Sequence, residues 1–467
     1  MAKHRMKHGE DEESRVDLIV RGGKVVTAEG VVRAEVAVQR GKIVRVAEEI
    51  GEEAEQVVNA KNGYVLPGII DAHVHFNEPG REDWEGLASG SAALAAGGGT
   101  MFFDMPLNSE PPVLDAAALR EKRRLAEEKS CVDFALWGGL TPGNLDKLAA
   151  LRDAGAIGLK AFMCNSGIAS FEAVDAKTLK EGMKRAAKLG MIVAVHAEDD
   201  RLAATLTAAE KAAGRTDAKG FLASRPVEVE LRAIREALEI AGETGCALHV
   251  VHVSTPEGIA LIDEARALRV DVTAETCPHY LLLNEKDVAR LGAIAKCAPP
   301  LRDEKRRKGM WEELWRGRIQ TVGSDHSPSR PEMKDTANLF AAWGGIAGVQ
   351  HGFELLLGEA FHGGEGERSL PRLAAVLARN VARRFRIDGR KGEIAEGKDA
   401  DFTIVRFDEP RTIEAEELWT RHRISAYVGR KSRARVTHTI VRGFPVWKEG
   451  RLTNFPPPGA FVKPDYR

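Results

Sequence analysis

The pattern of apolar and polar positions divides the chain into three textures. From Val16 to about Pro67, short apolar runs alternate with turn residues. Asp17-Leu-Ile-Val-Arg-Gly-Gly-Lys-Val-Val and Val36-Ala-Val-Gln-Arg-Gly-Lys-Ile-Val-Arg-Val each read as strand, glycine turn, strand. The same texture returns near the other end, in Asp399-Ala-Asp-Phe-Thr-Ile-Val and Val436-Thr-His-Thr-Ile-Val-Arg-Gly. These two ends predict one small β-sandwich built from residues 15–67 and 388–450. Residues 1–14 are charged, include His4 and His8, and lack the apolar run of a secretory signal, so a disordered tail is expected. The Pro-rich stretch within 451–467 is expected to lie extended on the surface.

The middle, residues 68–387, alternates strand-like and helix-like segments. The strand-like ones begin at Gly68, Gly99, Val132, Ala156, Met191, Ala247, Val270 and Ile319, eight in all. Amphipathic stretches such as Thr178 to Leu189 and Glu228 to Gly242 separate most of them. Eight β-α units over about 320 residues predict a (β/α)8 TIM barrel, so the fold class is α/β with a small β-sandwich added from both chain ends.

Charge then removes some functions. Among 467 residues, 68 Lys and Arg against 69 Asp and Glu leave a net charge of −1. That gives no basic field for nucleic acid. Runs such as Glu121-Lys-Arg-Arg are expected to be solvated helix faces. No apolar run reaches a membrane-spanning length. Five cysteines without CxxC pairing suit reduced thiols in the cytoplasm better than a disulfide framework.

Side chains of metal-ligand type fall at the ends of the predicted strands. His73 and His75 end the first at spacing i, i+2, which puts them on one face. Lys160 lies in the fourth, His196 ends the fifth, His252 the sixth and Asp325 the eighth. Barrels build active sites at the C-terminal ends of their strands, and closure would gather these six. Imidazole and carboxylate donors suit zinc and other divalent first-row cations, cobalt and manganese included. His249, three positions before His252, is expected on the opposite side of its strand, packed under a helix. His279 could approach the site or pack at the rim, His326 should point away, and Cys277 is expected to be a rim residue rather than a nucleophile.

The motifs Asp71-Ala-His-Val-His, Gly158-Leu-Lys-Ala-Phe-Met, His196-Ala-Glu, His252-Val-Ser and Gly323-Ser-Asp-His-Ser-Pro resemble the amidohydrolase superfamily. More narrowly they are similar to its cyclic amidohydrolases: allantoinases, dihydroorotases and hydantoinases. The resemblance covers nearly the whole chain. It implies that Lys160 is carbamylated and bridges two divalent metal ions, with His73, His75 and Asp325 on one and His196 and His252 on the other. Asp325 would then be the catalytic base, passing a proton to the leaving ring nitrogen. A homotetramer is also implied.

Departures from the dihydroorotase pattern bear on the substrate. Asn77 stands where that pattern carries the arginine that clasps a carboxylate, and Ser329 stands where many dihydroorotases carry a second histidine. A small neutral cyclic amide or ureide therefore fits better. The loops Phe76-Asn-Glu-Pro-Gly-Arg, Asp104-Met-Pro-Leu-Asn-Ser and Trp343-Gly-Gly-Ile-Ala-Gly resemble those of allantoinases. This implies hydrolysis of allantoin to allantoate in purine degradation, with Asn77 and Asn108 as substrate-binding residues, or else as residues fixed by loop architecture. Hydantoinase or dihydropyrimidinase activity is the alternative within the same chemistry. A metal-free scaffold protein of the same fold is the alternative outside it.

Overall fold

The computed structural model describes residues 16–454 and 458–466; the tail expected over residues 1–14 lies outside them. The barrel strands run Ile69–Val74, Gly99–Asp104, Asp133–Leu136, Leu159–Phe162, Val193–His196, Leu248–Val250, Val272–Thr276 and Thr321–Val322. Each falls inside the segment predicted for it. Neighbours pair in parallel and in chain order. A short continuation of the third strand, Gly138–Gly139, makes its ladder with the fourth. The ring closes when His75 N–H donates to the His326 carbonyl at 2.8 Å, beside a parallel bridge between Val74 and His326. The bore is filled by residues including Ile70, Met101, Phe103, Trp137 and Phe385, which meet in one apolar cluster.

The helices start where the sequence offers a cap. Asp175 accepts from Thr178 N–H to open Ala176–Lys188, and Asp199 accepts from Leu202 N–H to open Asp200–Ala212. Pro226 precedes the long helix Val227–Thr244, which ends on Gly245 at φ 66°, a left-handed position that costs glycine nothing. The run at Glu121 is only partly a solvated face. Arg124 is exposed and pairs with Glu121 and Glu128, but Lys122 is fully buried, donates to Met105 O and forms an ion pair with Asp104 at 3.0 Å.

Both chain ends build the sandwich. One sheet orders Lys42–Ala47, Glu35–Gln39, Val16–Arg21 and Ala54–Asn59. In the other, Tyr64–Pro67 pairs antiparallel with Phe402–Arg406, which pairs in turn with Arg435–Val441. Leu18, Val38, Val65, Phe402, Ile404 and Ile440 form the core between the two sheets. The end of the chain is extended, but it does not simply lie on the surface. Gly459 N–H donates to Ser130 O and Phe134 N–H to Ala460 O, and Val462 is buried in the bore cluster.

Candidate metal centre

Barrel closure brings the six predicted side chains to one end of the bore. His73 and Lys160 lie within their strands, and His196 is the last residue of its own. His75, His252 and Asp325 lie one, two and three residues past a strand end. His252 and Asp325 adopt φ of 41° and 46°. Left-handed backbone in non-glycine residues is costly and turns the side chain off the strand's alternation. This explains how His252 reaches the site at an odd step from His249.

The donors fall into two groups. Asp325 Oδ1 lies 3.2 Å from His73 Nε2 and 3.5 Å from His75 Nε2. His196 Nδ1 and His252 Nε2 lie 3.0 Å apart, and the His73 and His252 ring centroids are separated by 5.4 Å. Lys160 is fully buried, and its Nζ has no hydrogen-bond partner among the described residues. Burial pushes its ammonium down to about 8, against the pull of Asp325 and Glu275. Burial would raise Asp325, but the neighbouring histidines, His73 first, hold it well below the usual carboxylate range.

The far nitrogens of these rings are tied from behind. His73 Nδ1 meets Glu275 Oε1 at 2.8 Å, and His196 Nε2 meets Glu198 Oε2 at 2.8 Å. Glu198 is fixed in turn by Arg225 at 2.7 Å. Burial penalises both carboxylates, but their partners outweigh it and hold each at about 2. Imidazoles backed by carboxylates present a fixed lone pair on the opposite nitrogen, the arrangement that orients metal-ligating histidines. His73, His75 and Asp325 bring their ligand atoms within 4.8 Å of one another. The donor set, its second layer and the orphaned Lys160 amine all fit divalent cations.

Two sequence readings need adjustment. His249 does not pack under a helix: its Nδ1 meets Thr273 Oγ1 at 2.7 Å, and its Nε2 meets Glu275 Oε2 at 3.3 Å inside the barrel. The strand ends at Val250, so the alternation that placed His249 opposite His252 does not extend that far. Cys277 is not at an open rim. It is fully buried, with its sulfur within 4.8 Å of His279 and Asp325 ligand atoms, and burial raises the thiol far above its ordinary range. Glu275 and Glu198, the two orienting carboxylates, went unread; Glu198 stands in the quoted His196-Ala-Glu motif, and Glu275 near the end of the strand predicted to begin at Val270. His326 does point away, its Nε2 3.3 Å from Glu85.

Asn77 and Asn108 flank the site on the loops after the first two strands, both buried and both left-handed, at φ 67° and 63°. Asn77 Nδ2 donates to Pro328 O at 3.3 Å, while its Oδ1 is buried without a donor. Trp343 packs edge-on against Trp84, with ring centroids 5.0 Å apart. Its segment is tied down by two lysines: Lys334 Nζ donates to the carbonyls of Trp343 and Gly345, and Lys296 Nζ to that of Ala342.

Residues 64–446 match the model of the amidohydrolase family. The chain belongs to that family. Its sequence is 49% identical to an allantoinase of Solibacter usitatus over 437 residues, 94% of this chain and 95% of that protein. It is also 49% identical to an allantoinase of Rubrobacter xylanophilus, over 97% of this chain and 98% of that one. Among solved structures, an L-hydantoinase (dihydropyrimidinase) from Arthrobacter aurescens superposes with a TM-score of 0.93 at 33% identity, covering 96% of this amidohydrolase and 100% of that chain. The likeness spans barrel and sandwich together, so the two β-rich ends are shared with that hydantoinase.

Proposed function

We propose that this chain hydrolyses allantoin to allantoate, opening the ring at a cyclic amide bond. The observation that carries the reading is near-full-length similarity to allantoinases together with a site of four histidines, one lysine and one aspartate that lacks a carboxylate-binding arginine at position 77. His73, His75 and Asp325 would hold one cation and His196 and His252 the other, with zinc first in order and cobalt or manganese accepted by the same donors. Cations bound there would lower the pKa of water and polarise the ring carbonyl.

The chain's own groups supply the rest. Lys160, once carbamylated, would add its donor oxygens to the residues that hold the cations. Its amine, brought to about 8 by burial, is available to add to carbon dioxide, releasing one proton and leaving a carbamate with two donor oxygens. Asp325, held ionised, accepts a proton from the attacking water and returns it to the departing ring nitrogen. Asn77 Oδ1 is a buried acceptor awaiting a donor, suited to a ureide N–H, and Asn108, buried on the loop after the second strand, would be a further partner for the same ligand. No serine or cysteine nucleophile is required.

The match to the Arthrobacter hydantoinase favours a second reading, hydrolysis of simple hydantoins or dihydrouracil by the same groups. The enzyme is proposed to act in the cytoplasm in purine degradation and to assemble as a tetramer; among the described residues no helix is long and apolar enough to cross a membrane. Initial rates on allantoin, hydantoin, dihydrouracil and dihydroorotate, with and without a chelator, test the assignment. Metal-dependent preference for allantoin is expected. Preference for another ring would retain the metal chemistry and overturn the roles of Asn77 and Asn108.

A further inference from the structure

A cavity of about 670 Å³ opens where the barrel meets the sandwich, and none of the six metal-site side chains lines it. Its walls come from three places: the start of helix Gly352–Ala360, the segment around Arg411 to Arg423, and the sandwich edge at Arg435, Val436 and Trp447. His351 is the N-cap of that nine-residue helix, with no side-chain cap bond, so the helix's positive end meets the cavity.

The polar groups in this wall are short of acceptors. His351 is 4% exposed, and neither ring nitrogen has a partner among the described residues. Burial, then the Arg411 charge, pushes it down to about 3, so it is a neutral ring with one N–H to donate. Trp447 Nε1 and Arg411 Nε are likewise buried and unpartnered, just beneath the cavity surface. Unmet donors of this kind are rare in folded proteins.

The charges point the same way. Arg411 consumes two of the lining carboxylates, Glu354 at 2.7 Å and Glu417 at 2.5 Å. Gln350 pins the segment by donating to Glu417 O and accepting from Trp419 N–H. Arg423 and Arg435 line the cavity with no carboxylate of the described residues in ion-pair range, leaving Glu416 as the one unpaired acid among the lining residues. Trp419, 39% exposed, stands edge-on to Trp447 at 5.5 Å and offers a flat apolar wall.

We infer that this cavity is a second ligand site that takes a small organic carboxylate carried on a flat, ring-sized body. The carboxylate meets the Arg423 and Arg435 guanidinium groups, and the ring lies against Trp419. The volume falls within the range of small-molecule pockets. This inference is independent of which cyclic amide the metal site opens.

Calorimetric titration of the metal-loaded protein with benzoate, the neutral isostere benzamide and inorganic phosphate tests it. Saturable benzoate binding that leaves substrate KM unchanged is expected, with benzamide at least about tenfold weaker. The double variant Arg423→Gln/Arg435→Gln should weaken benzoate at least about tenfold while turnover stays at the wild-type rate, which shows that the chain still folds. Trp419→Ala should also weaken benzoate and leave phosphate unaffected. Equal binding of benzoate and benzamide, an unaffected double variant, or competition of benzoate with substrate would each overturn the site. Phosphate binding as tightly as benzoate would overturn the organic-carboxylate assignment.

Discussion

Asn77 carries two requirements that can be separated experimentally. Its φ of 67° is tolerated by Asn and Gly but costs most side chains about 1 kcal/mol or more. Its side chain, in the proposed function, receives a ureide N–H. Asn77→Gly should therefore keep the thermal midpoint near wild type, while Asn77→Ala should lower stability by about 1 kcal/mol. Both should raise KM for allantoin by about five- to tenfold, the worth of one hydrogen bond. A normal KM in the glycine variant would assign Asn77 to loop architecture alone. The same scale shows what the residues disclosed. The histidines and Asp325 were legible because ligand-type side chains recurred at strand ends, a pattern that needs no coordinates. His249 was misread because two-residue alternation was carried past Val250, where the chain leaves the strand and His252 turns left-handed. Glu275 bonds both His73 and His249 from the seventh strand, a pairing that depends on which strands become neighbours across the bore.

At the scale of elements, the junction of barrel and sandwich is organised by one buried cation. Lys391 Nζ reaches Asp133 Oδ2 at 2.6 Å in the third barrel strand, and Asp401 Oδ2 at 2.6 Å and Asp399 Oδ2 at 3.0 Å at the entry to the sandwich. Asp133 also accepts from Arg442 Nε and Ala460 N–H, which adds the last sandwich hairpin and the chain end. The three carboxylates lie close enough to resemble a metal site, but the ammonium occupies the centre. Lys391→Met would leave these acids buried without their central charge, a loss of about 3–5 kcal/mol. The urea midpoint should drop accordingly, and a change below about 1 kcal/mol would show that Arg442 on Asp133, with Lys42 and Arg390 on Asp399, suffices. None of this was readable from the segment around Asp399, which looked only like a strand near a turn. Strand positions were legible to within a few residues because period and glycine punctuation are local, but a hub that joins residues 133, 391 and 401 exists only after the sheets assemble. Lys122, inside a run that looks solvated, reaches Asp104 for the same reason.

For the whole molecule, the question is whether the cations hold the barrel together or only complete it. The ring closes through its own backbone, with parallel ladders and the His75 to His326 hydrogen bond, and a packed bore of Ile70, Phe103, Trp137 and Phe385 lies below the donors. Burial keeps His73, His196 and His252 neutral, and the one buried ammonium among the donors, Lys160, faces the carboxylates of Asp325 and Glu275, so emptying the site does not pack uncompensated positive charge into the core. The metal-free protein should therefore remain folded at 25 °C, with unchanged far-ultraviolet circular dichroism. Cations that bind only the native state still add stability, about 2.7 kcal/mol per site when free metal exceeds Kd a hundredfold. Because the donors come from strands one, five, six and eight, this stabilisation acts on the barrel as a unit. Chelation verified by metal analysis should lower the thermal midpoint by a few degrees and abolish ring opening, and adding zinc back should restore both. Collapse of the fold on chelation would make the cations structural. An unchanged midpoint after two equivalents of metal are removed would mean that these donors were not where the metal sat, and the assignment of His73, His75, His196, His252 and Asp325 would fall with it.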